Sequence, residues 1–176
     1  MTKQYLEIER RWLLKGLPGS EILNGPGVKK IHTTTVYVFV DKHLEIRVRM
    51  CTLDGLVSFP IVMKAGSGLI RQETPKIIGN QEIFDYYFMR YPKPHYLEKI
   101  TWEIPVGSKK PWEIRIFIGP DPVSGLLMLE QEFDTPEESK LFKFPAWLES
   151  LVGDEVTENP TYNSKNLAVH GRPYPK

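Results

Sequence analysis

The stretch that decides the fold reads LEIRVRM at residues 44–50. Its apolar residues alternate strictly with Glu45, Arg47 and Arg49, and this period of two is typical of a β-strand with one apolar and one charged face. The segment LEIERRW at residues 6–12 repeats the alternation. Both segments therefore predict strands whose two faces differ sharply in polarity.

Six further segments are short, rich in apolar residues and separated in several places by turn residues such as Asp54-Gly55. They cover residues 36–40, 59–64, 70–74, 97–104, 112–117 and 126–133. Closely spaced strands with turns between them favour an antiparallel sheet that closes on itself. We therefore predict an α+β, mainly β fold, built as an eight-stranded antiparallel β-barrel with short flanking helices.

Helices are predicted where the period of two is lost. The segment 80–89 is expected to pack on the outside of the sheet, and a second helix should begin at Pro136, directly after the capping residue Thr135. Shorter helices are expected around residues 145–152 and 164–169, whereas the glycine-rich segment 16–28 is expected to be a loop.

Composition limits the classes of protein to consider. The 176 residues fit a single domain spanning 1–176, and 23 basic against 22 acidic residues give a net charge of +1. This balance argues against a duplex nucleic-acid binder, and no apolar run is long enough to cross a membrane. The charged start of the chain predicts no signal peptide. With Cys51 as the single cysteine, a cytoplasmic location is expected.

Any one charged strand face could simply be exposed to water, but the sorting of like charges onto several strands favours a site that holds metal and phosphate. Two Glu-x-Glu pairs, Glu7 with Glu9 and Glu130 with Glu132, offer the carboxylate oxygens that Mg²⁺ or Mn²⁺ prefers. Arginines and lysines on other strands would bind phosphate oxygens through charge-assisted hydrogen bonds. A polyphosphate ligand suits this mixture of charges.

The same residues resemble the motifs of the CYTH domain, or triphosphate tunnel metalloenzyme family, in order from about Tyr5 to Gly171. Residues 7–11 are similar to the opening Glu-x-Glu-x-Lys signature, and residues 129–133 to the late Glu-x-Glu strand. The positions that resemble the family's lumen between these two motifs are Tyr37, Arg47, Arg49, Lys64, Arg71, Glu73 and Lys99.

The resemblance implies hydrolysis of inorganic triphosphate or of a triphosphate-bearing small molecule, with Mg²⁺ or Mn²⁺ as cofactor. The expected metal ligands are Glu7, Glu9, Glu130 and Glu132. The expected catalytic residues are Glu9, Tyr37 and Glu130. The expected substrate-binding residues are Arg11, Arg47, Arg49, Lys64, Arg71, Glu73, Lys99 and Arg115.

Four positions depart from the family's pattern. Arg11 stands in place of a lysine, Pro75 in place of a second acidic residue, Thr101 in place of an arginine, and Arg115 in place of an aspartate. Pro75 and Arg115 each remove an anionic position, and Arg115 adds a cation. Metal-dependent hydrolysis is the favoured prediction. Two alternatives stay open, namely binding of a phosphorylated ligand such as a nucleotide without turnover, and class IV adenylyl cyclase activity; a homodimer also stays open.

Overall fold

One antiparallel sheet contains every strand in the described part of the chain. The structure is a computed structural model that describes residues 5–41, 43–65, 70–73, 77–90, 95–107 and 109–173; the side chains of residues 5–7, 70–73 and 109 are not part of that description. The strands are β1 (Tyr5–Leu14), β2 (Lys29–Val40), β3 (Leu44–Leu53), β4 (Leu56–Ser58), β5 (Pro60–Ala65), β6 (Ile70–Glu73), β7 (Ile77–Ile78), β8 (Tyr96–Val106), β9 (Lys109–Gly119), β10 (Leu127–Phe133) and β11 (Val152–Glu155). The helices are α1 (Ser20–Leu23), α2 (Gln81–Arg90), α3 (Pro136–Leu141), α4 (Ala146–Glu149) and α5 (Ser164–His170).

The hydrogen-bonded strands form a closed ring. The hydrogen-bonded order runs β3, β2, β8, β9, β10, β1, β6 and β5, and β5 pairs again with β3. These eight strands coincide with the eight segments predicted from the sequence, and all of their pairings are antiparallel. The predicted class, an antiparallel β fold with a few short helices, is therefore confirmed. The remaining strands, β4, β7 and β11, extend the ring at its edges.

Several element boundaries differ from the prediction. Strand β2 begins at Lys29 rather than at residue 36. The prediction missed its first half because Thr33, Thr34 and Thr35 are buried without forming an apolar alternation. The loop predicted for residues 16–28 contains the single turn α1. The helix expected over 145–152 ends at Glu149, and Val152 instead begins β11 on the edge of β1.

Helices and loops cover the outer, apolar face of the strands. Trp12, Trp112 and Ile114 are buried there beneath Leu148 of α4. Phe84 of α2 packs in the same way against Val36 and Val48 of neighbouring strands. This cover explains how the apolar face of each strand is removed from water while the opposite face stays free for charged residues. Within the described ranges, no helix has the length and apolar character needed to span a membrane.

Helix α3 begins where the sequence predicts. The Thr135 hydroxyl accepts a hydrogen bond from the backbone N–H of Glu138 at 3.1 Å, and Pro136 occupies the first turn. This cap satisfies a backbone donor that would otherwise have no partner at the helix start.

Candidate active site

The inner face of the ring carries charged side chains that are largely removed from water. Strand β3 directs Arg47 and Arg49 into the lumen, and β5, β8 and β9 add Lys64, Lys99 and Arg115. The cavity that these five residues line has a volume of about 540 Å³. A smaller cavity of about 40 Å³ shares all five and is completed by Glu9, Arg11, Glu45, Glu130, Asn163, Ser164 and Lys165. Eight of the site residues predicted from the sequence therefore meet around one point in the lumen.

One end of the lumen is blocked by apolar side chains. Tyr37, Leu97, Phe117 and Met128 lie on the inward parity of their strands and form a buried cluster with Leu167 of α5. Each of the last three strand residues lies two positions from a charged lumen residue on its own strand. The tunnel is consequently closed at this end. We call these five buried residues the apolar plug.

Arg115 faces inward, as strand parity predicts. Its guanidinium is bound by the carboxylates of Glu113 and Glu130. Burial alone would lower the pKa of Arg115, but the two carboxylates outweigh burial and raise that pKa above its ordinary value. Arg115 is therefore a permanent cation in the lumen.

The arginine at position 115 lies directly opposite a second departure from the family pattern. Thr101 of β8 is the cross-strand partner of Arg115 on β9. Side chains at paired positions on one face lie about 5 Å apart at their Cβ atoms. The positive charge expected at position 101 is thus present one strand away, at nearly the same level of the tunnel.

Arg11 joins β1 to the C-terminal part of the chain. Its guanidinium donates hydrogen bonds of 3.3 Å to the backbone carbonyls of Thr157 and Tyr162, and its Nε lies 3.6 Å from Glu9 Oε1. The planar guanidinium can reach all three groups at once, whereas a lysine ammonium has no such fork. This geometry gives the replacement of lysine by arginine a structural reason.

Tyr37 contacts the lumen through Arg47. The tyrosine is buried in the apolar plug and forms a side-chain hydrogen bond with Arg47, whose guanidinium also lies 3.1 Å from Glu45 Oε1. Burial, with a contribution from Glu45, raises the pKa of the Tyr37 hydroxyl. The phenol therefore stays protonated at neutral pH, and its place in the structure is that of a residue that positions Arg47.

Burial in the lumen strongly perturbs Lys99. Burial first, and then the nearby guanidinium of Arg115, hold the pKa of Lys99 well below its ordinary value of 10.5, although Glu130 acts in the opposite direction. An anion that entered the lumen would favour the protonated form of this lysine.

The carboxylates predicted to hold metal are arranged in cross-strand pairs. Glu9 lies opposite Glu132, and Glu130 lies opposite Glu113. The described residues contain no group of three or more His, Cys, Asp or Glu side chains placed to hold a metal ion. However, Mg²⁺ is usually held by one or two carboxylates together with substrate phosphates. Glu9 and Glu132 are one cross-strand pair that could supply two such carboxylates, although each also has a cationic partner, Arg11 and Lys110 respectively. Glu130 is bound by Arg115.

Some predicted site residues cannot be placed. The side chains of Glu7, Arg71 and Glu73 lie outside the described part of the structure, as does the whole of Pro75. At the backbone level, Glu7 is paired with Arg71, and Glu73 with Lys64. These pairings bring the two segments side by side in the ring.

Glu45 and Glu113 are lumen residues that the sequence analysis missed. Glu45 precedes Arg47 by two positions, and Glu113 precedes Arg115 by two positions. Each shares the inward parity of its arginine and forms an ion pair with it. The signal was present in the alternation itself, because every second residue of a strand faces the same side.

Comparison with known proteins agrees with this architecture. The crystal structure of the inorganic triphosphatase NE1496 matches with a TM-score of 0.63 and 23% identity, over 95% of this chain and 97% of that one. A conserved hypothetical protein from Pyrococcus furiosus matches with a TM-score of 0.51 and 18% identity, over 76% of this chain and 83% of that one. The PH1012 protein from Pyrococcus horikoshii OT3 has the same TM-score and coverage at 17% identity.

No protein-family model matches the sequence, and no curated protein matches it. Identities of this size establish the fold and nothing finer. The closed ring of pairings, the charged lumen and these structural matches agree with one another. This chain therefore has the fold of the inorganic triphosphatase NE1496, the CYTH or triphosphate tunnel fold.

Proposed function

We propose that the tunnel binds a small-molecule triphosphate and hydrolyses its terminal phosphate with the help of a divalent metal ion. The observation that carries this proposal is that five cationic residues line one cavity, and that the apolar plug closes the tunnel at one end. The five residues are Arg47, Arg49, Lys64, Lys99 and Arg115. So many positive charges in a poorly solvated space favour a multivalent anion. A structural neighbour is named an inorganic triphosphatase, which supports the same choice of ligand.

The five cations would bind the phosphate oxygens and offset the negative charge of the transition state. Phosphoryl transfer needs little covalent chemistry from a protein, so positioning and electrostatic stabilisation account for most of the catalysis. Tyr37 would hold Arg47 in place through its hydrogen bond, and Glu113 would do the same for Arg115. The apolar plug would stop the ligand from passing through the tunnel.

Glu9 and Glu132 are the residues that would hold Mg²⁺ or Mn²⁺, with Glu7 as a further candidate. When bound, the metal would polarise the phosphate and activate water. Replacing either carboxylate by the neutral amide, Glu9→Gln or Glu132→Gln, should weaken Mn²⁺ binding measured by calorimetry. Glu155→Gln, on the outside of the barrel, is the control and should bind Mn²⁺ as the wild type does.

Binding without turnover is the second candidate function. It is favoured by the contact between Arg115 and Glu130, because that carboxylate was expected to hold metal and is instead bound by a cation. A tunnel that keeps this contact after the ligand enters would retain a triphosphate and leave it intact.

Product analysis separates these functions. The protein is incubated with inorganic triphosphate, thiamine triphosphate or ATP, in buffer with Mg²⁺ or Mn²⁺. Release of phosphate supports hydrolysis, and pyrophosphate with cyclic AMP would indicate cyclase activity instead. Measurable binding with complete recovery of the ligand supports the second candidate. If no triphosphate binds or reacts, the proposed function is wrong.

A further inference from the structure

Helix α2 presents apolar side chains on the face that points away from the barrel. Its opposite face is fixed to the sheet, because Phe84 is buried and its ring stacks on that of Phe88 at 5.5 Å. On the outward face, Ile83 is 36% exposed, Tyr86 is 51% exposed and Met89 is 77% exposed. These three residues follow one another at intervals of three, so they lie on one side of the helix. The residues of this side form what we call the α2 stripe, namely Glu82, Ile83, Tyr86, Met89 and Arg90.

The composition of the α2 stripe is that of a protein interface. Tyrosine, methionine and arginine are enriched where proteins meet, and contiguous exposed apolar residues mark interaction surfaces. The Arg90 guanidinium lies over the Tyr86 ring, 4.8 Å from its centroid, and this contact holds the arginine on the stripe. A groove of about 450 Å³ lies between α2 and the outer faces of β2, β3 and β5, and Ile83 and Tyr86 line it too. The stripe and the groove therefore form one continuous, mainly apolar surface.

The order of residues along the stripe indicates which partner fits it. Glu82 and Arg90 lie four residues before and four residues after Tyr86, and both are exposed. Ile83 and Met89 lie three residues before and three residues after the same tyrosine. When a second α2 packs antiparallel with the two tyrosines side by side, Ile83 of each copy meets Met89 of the other. In the same arrangement, Glu82 of each copy meets Arg90 of the other. The stripe is thus complementary to itself, as an interface with two-fold symmetry requires.

The size of the stripe predicts a weak and reversible association. Helix α2 has 10 residues and is therefore about 15 Å long. Two such stripes bury less surface than the roughly 1,200 to 2,000 Å² of a stable complex. Antiparallel packing also places the positive end of each helix dipole beside the negative end of the other. Met89 of the second copy would lie beside Ile83 at the rim of the groove, where its flexible side chain can fill space.

We propose that the α2 stripe is the contact surface between two copies of this chain, which form a concentration-dependent dimer with its two-fold axis at Tyr86. The two helices pack antiparallel, with an apolar centre and an ion pair between Glu82 and Arg90 at each end. No residue of α2 lines the charged cavity of the described structure, so each copy keeps a complete tunnel. The inference is consequently independent of the proposed function, and the dimer forms whether or not the tunnel binds a triphosphate.

Charge reversal gives the sharpest test, because Glu82 and Arg90 of one helix lie about 12 Å apart along its axis, too far to pair with each other. Sedimentation velocity from micromolar to millimolar concentrations should show the wild type passing from monomer to dimer. Glu82→Arg alone and Arg90→Glu alone should each dimerise at least about tenfold more weakly, because like charges then meet at both ends. An equimolar mixture of the two variants should regain the wild-type affinity, because opposite charges meet again at both ends. Glu149→Arg, exposed on α4, is the control and should dimerise as the wild type does.

A second variant tests the apolar centre of the interface. Met89→Ser should weaken dimerisation at least about tenfold, because it removes an apolar side chain at two symmetric places. Leu141→Ser, at a position 81% exposed on α3, is the matched control and should have no effect. All of the substituted side chains are exposed, and the melting temperature of each variant shows that it is folded. A wild type that stays monomeric, a mixture that associates no better than its components, or equal association of Met89→Ser and wild type would overturn the inference.

Discussion

The apolar plug and the charged middle of the tunnel are built from the same faces of the same strands. On β8, Leu97 belongs to the plug and Lys99 to the charged part; on β9 the corresponding residues are Phe117 and Arg115. Two inward positions that are neighbours on one strand thus differ in role, since one packs in the buried apolar cluster and the other carries a charge. The plug contributes hydrophobic stabilisation, whereas buried charges cost desolvation that their partners only partly repay. The comparison teaches that stability and ligand binding are separated along the tunnel axis.

The largest expected effect is the loss of a plug residue. Phe117 is 1% exposed, so Phe117→Ala should lower the free energy of unfolding by about 3 to 5 kcal/mol through lost transfer energy and the cavity left behind. Phe39→Ala is the control, since Phe39 is 45% exposed on β2 and should cost about 0.5 kcal/mol. Urea denaturation measures both. Equal losses in the two variants would show that the plug is no more important to stability than the surface.

A charged residue from the middle of the tunnel should affect binding instead. Arg115→Ala removes a charge-assisted contact worth about 1.5 to 3 kcal/mol, so triphosphate affinity should fall about 10- to 100-fold. The same variant leaves Glu113 and Glu130 without their guanidinium, and Mn²⁺ should therefore raise its melting temperature more than that of the wild type. Arg115→Asp should show the stronger metal effect, because it adds a third carboxylate.

Arg10→Ala is the matched control for Arg115. Arg10 also binds a carboxylate, with its Nε 2.9 Å from Glu155 Oε1, but its side chain lies on the outer face. Calorimetry with triphosphate and with Mn²⁺ should give wild-type values for this variant. If Arg10→Ala and Arg115→Ala weaken triphosphate binding equally, Arg115 has no special place in the site.

Replacing Lys99 should have a smaller effect on stability than Phe117→Ala, and in the opposite direction, because it should stabilise the fold. Folding holds the pKa of this lysine below its ordinary value of 10.5, so the unfolded chain binds more protons and wild-type stability rises with pH up to that value. Lys99→Met should therefore stabilise the protein by about 1 kcal/mol at pH 6, with a gain that shrinks towards pH 10, while triphosphate binds more weakly. Urea denaturation at both pH values tests this, and a gain that is independent of pH would contradict it.

The smallest effect is expected outside the barrel. Hydrogen bonds from Arg10, and to a lesser degree from Thr157, hold the pKa of Glu155 below its ordinary value of 4.5. The carboxylate therefore stabilises the fold above that pH, and its contribution is lost as the pH falls below it. Because the pair is partly exposed, Glu155→Gln should cost at most about 1 kcal/mol at pH 7 and less at pH 3. A cost that is larger at pH 3 would reverse the assigned sign.

The alternation of residues was sufficient to predict the strands of the ring but not its smaller additions. Strand β7 contains two residues and β4 contains three, which is too few for a period to be visible in the sequence. These strands form because ring strands offer free edges, and such long-range pairing is not encoded locally. The first half of β2 was missed for a related reason, since Thr33 to Thr35 are buried without being apolar.

The site residues predicted from the sequence stand at positions of the family's motifs, including the departures Arg11 and Arg115. Parity alone would have included Glu45 and Glu113, because each shares a face with its arginine. The apolar plug is harder to predict, since Tyr37, Leu97 and Phe117 occupy inward positions that the charged pattern assigns to the lumen. A side chain's depth along a tunnel depends on strand tilt and on the closure of the ring, which only the assembled structure provides.

The closure of the ring by β1 has a consequence for synthesis on the ribosome. Strand β1 pairs with β10, with Ile8 opposite Phe133, although β1 is made first among the ring strands and β10 last. Until translation reaches β10, β1 therefore has one open edge, and Trp12 has no cover from the aromatic residues Phe142 and Phe144. Unpaired edges and exposed apolar surface on a nascent chain favour aggregation. Ribosomes that stall before Leu127 should thus release fragments that depend on chaperones for solubility.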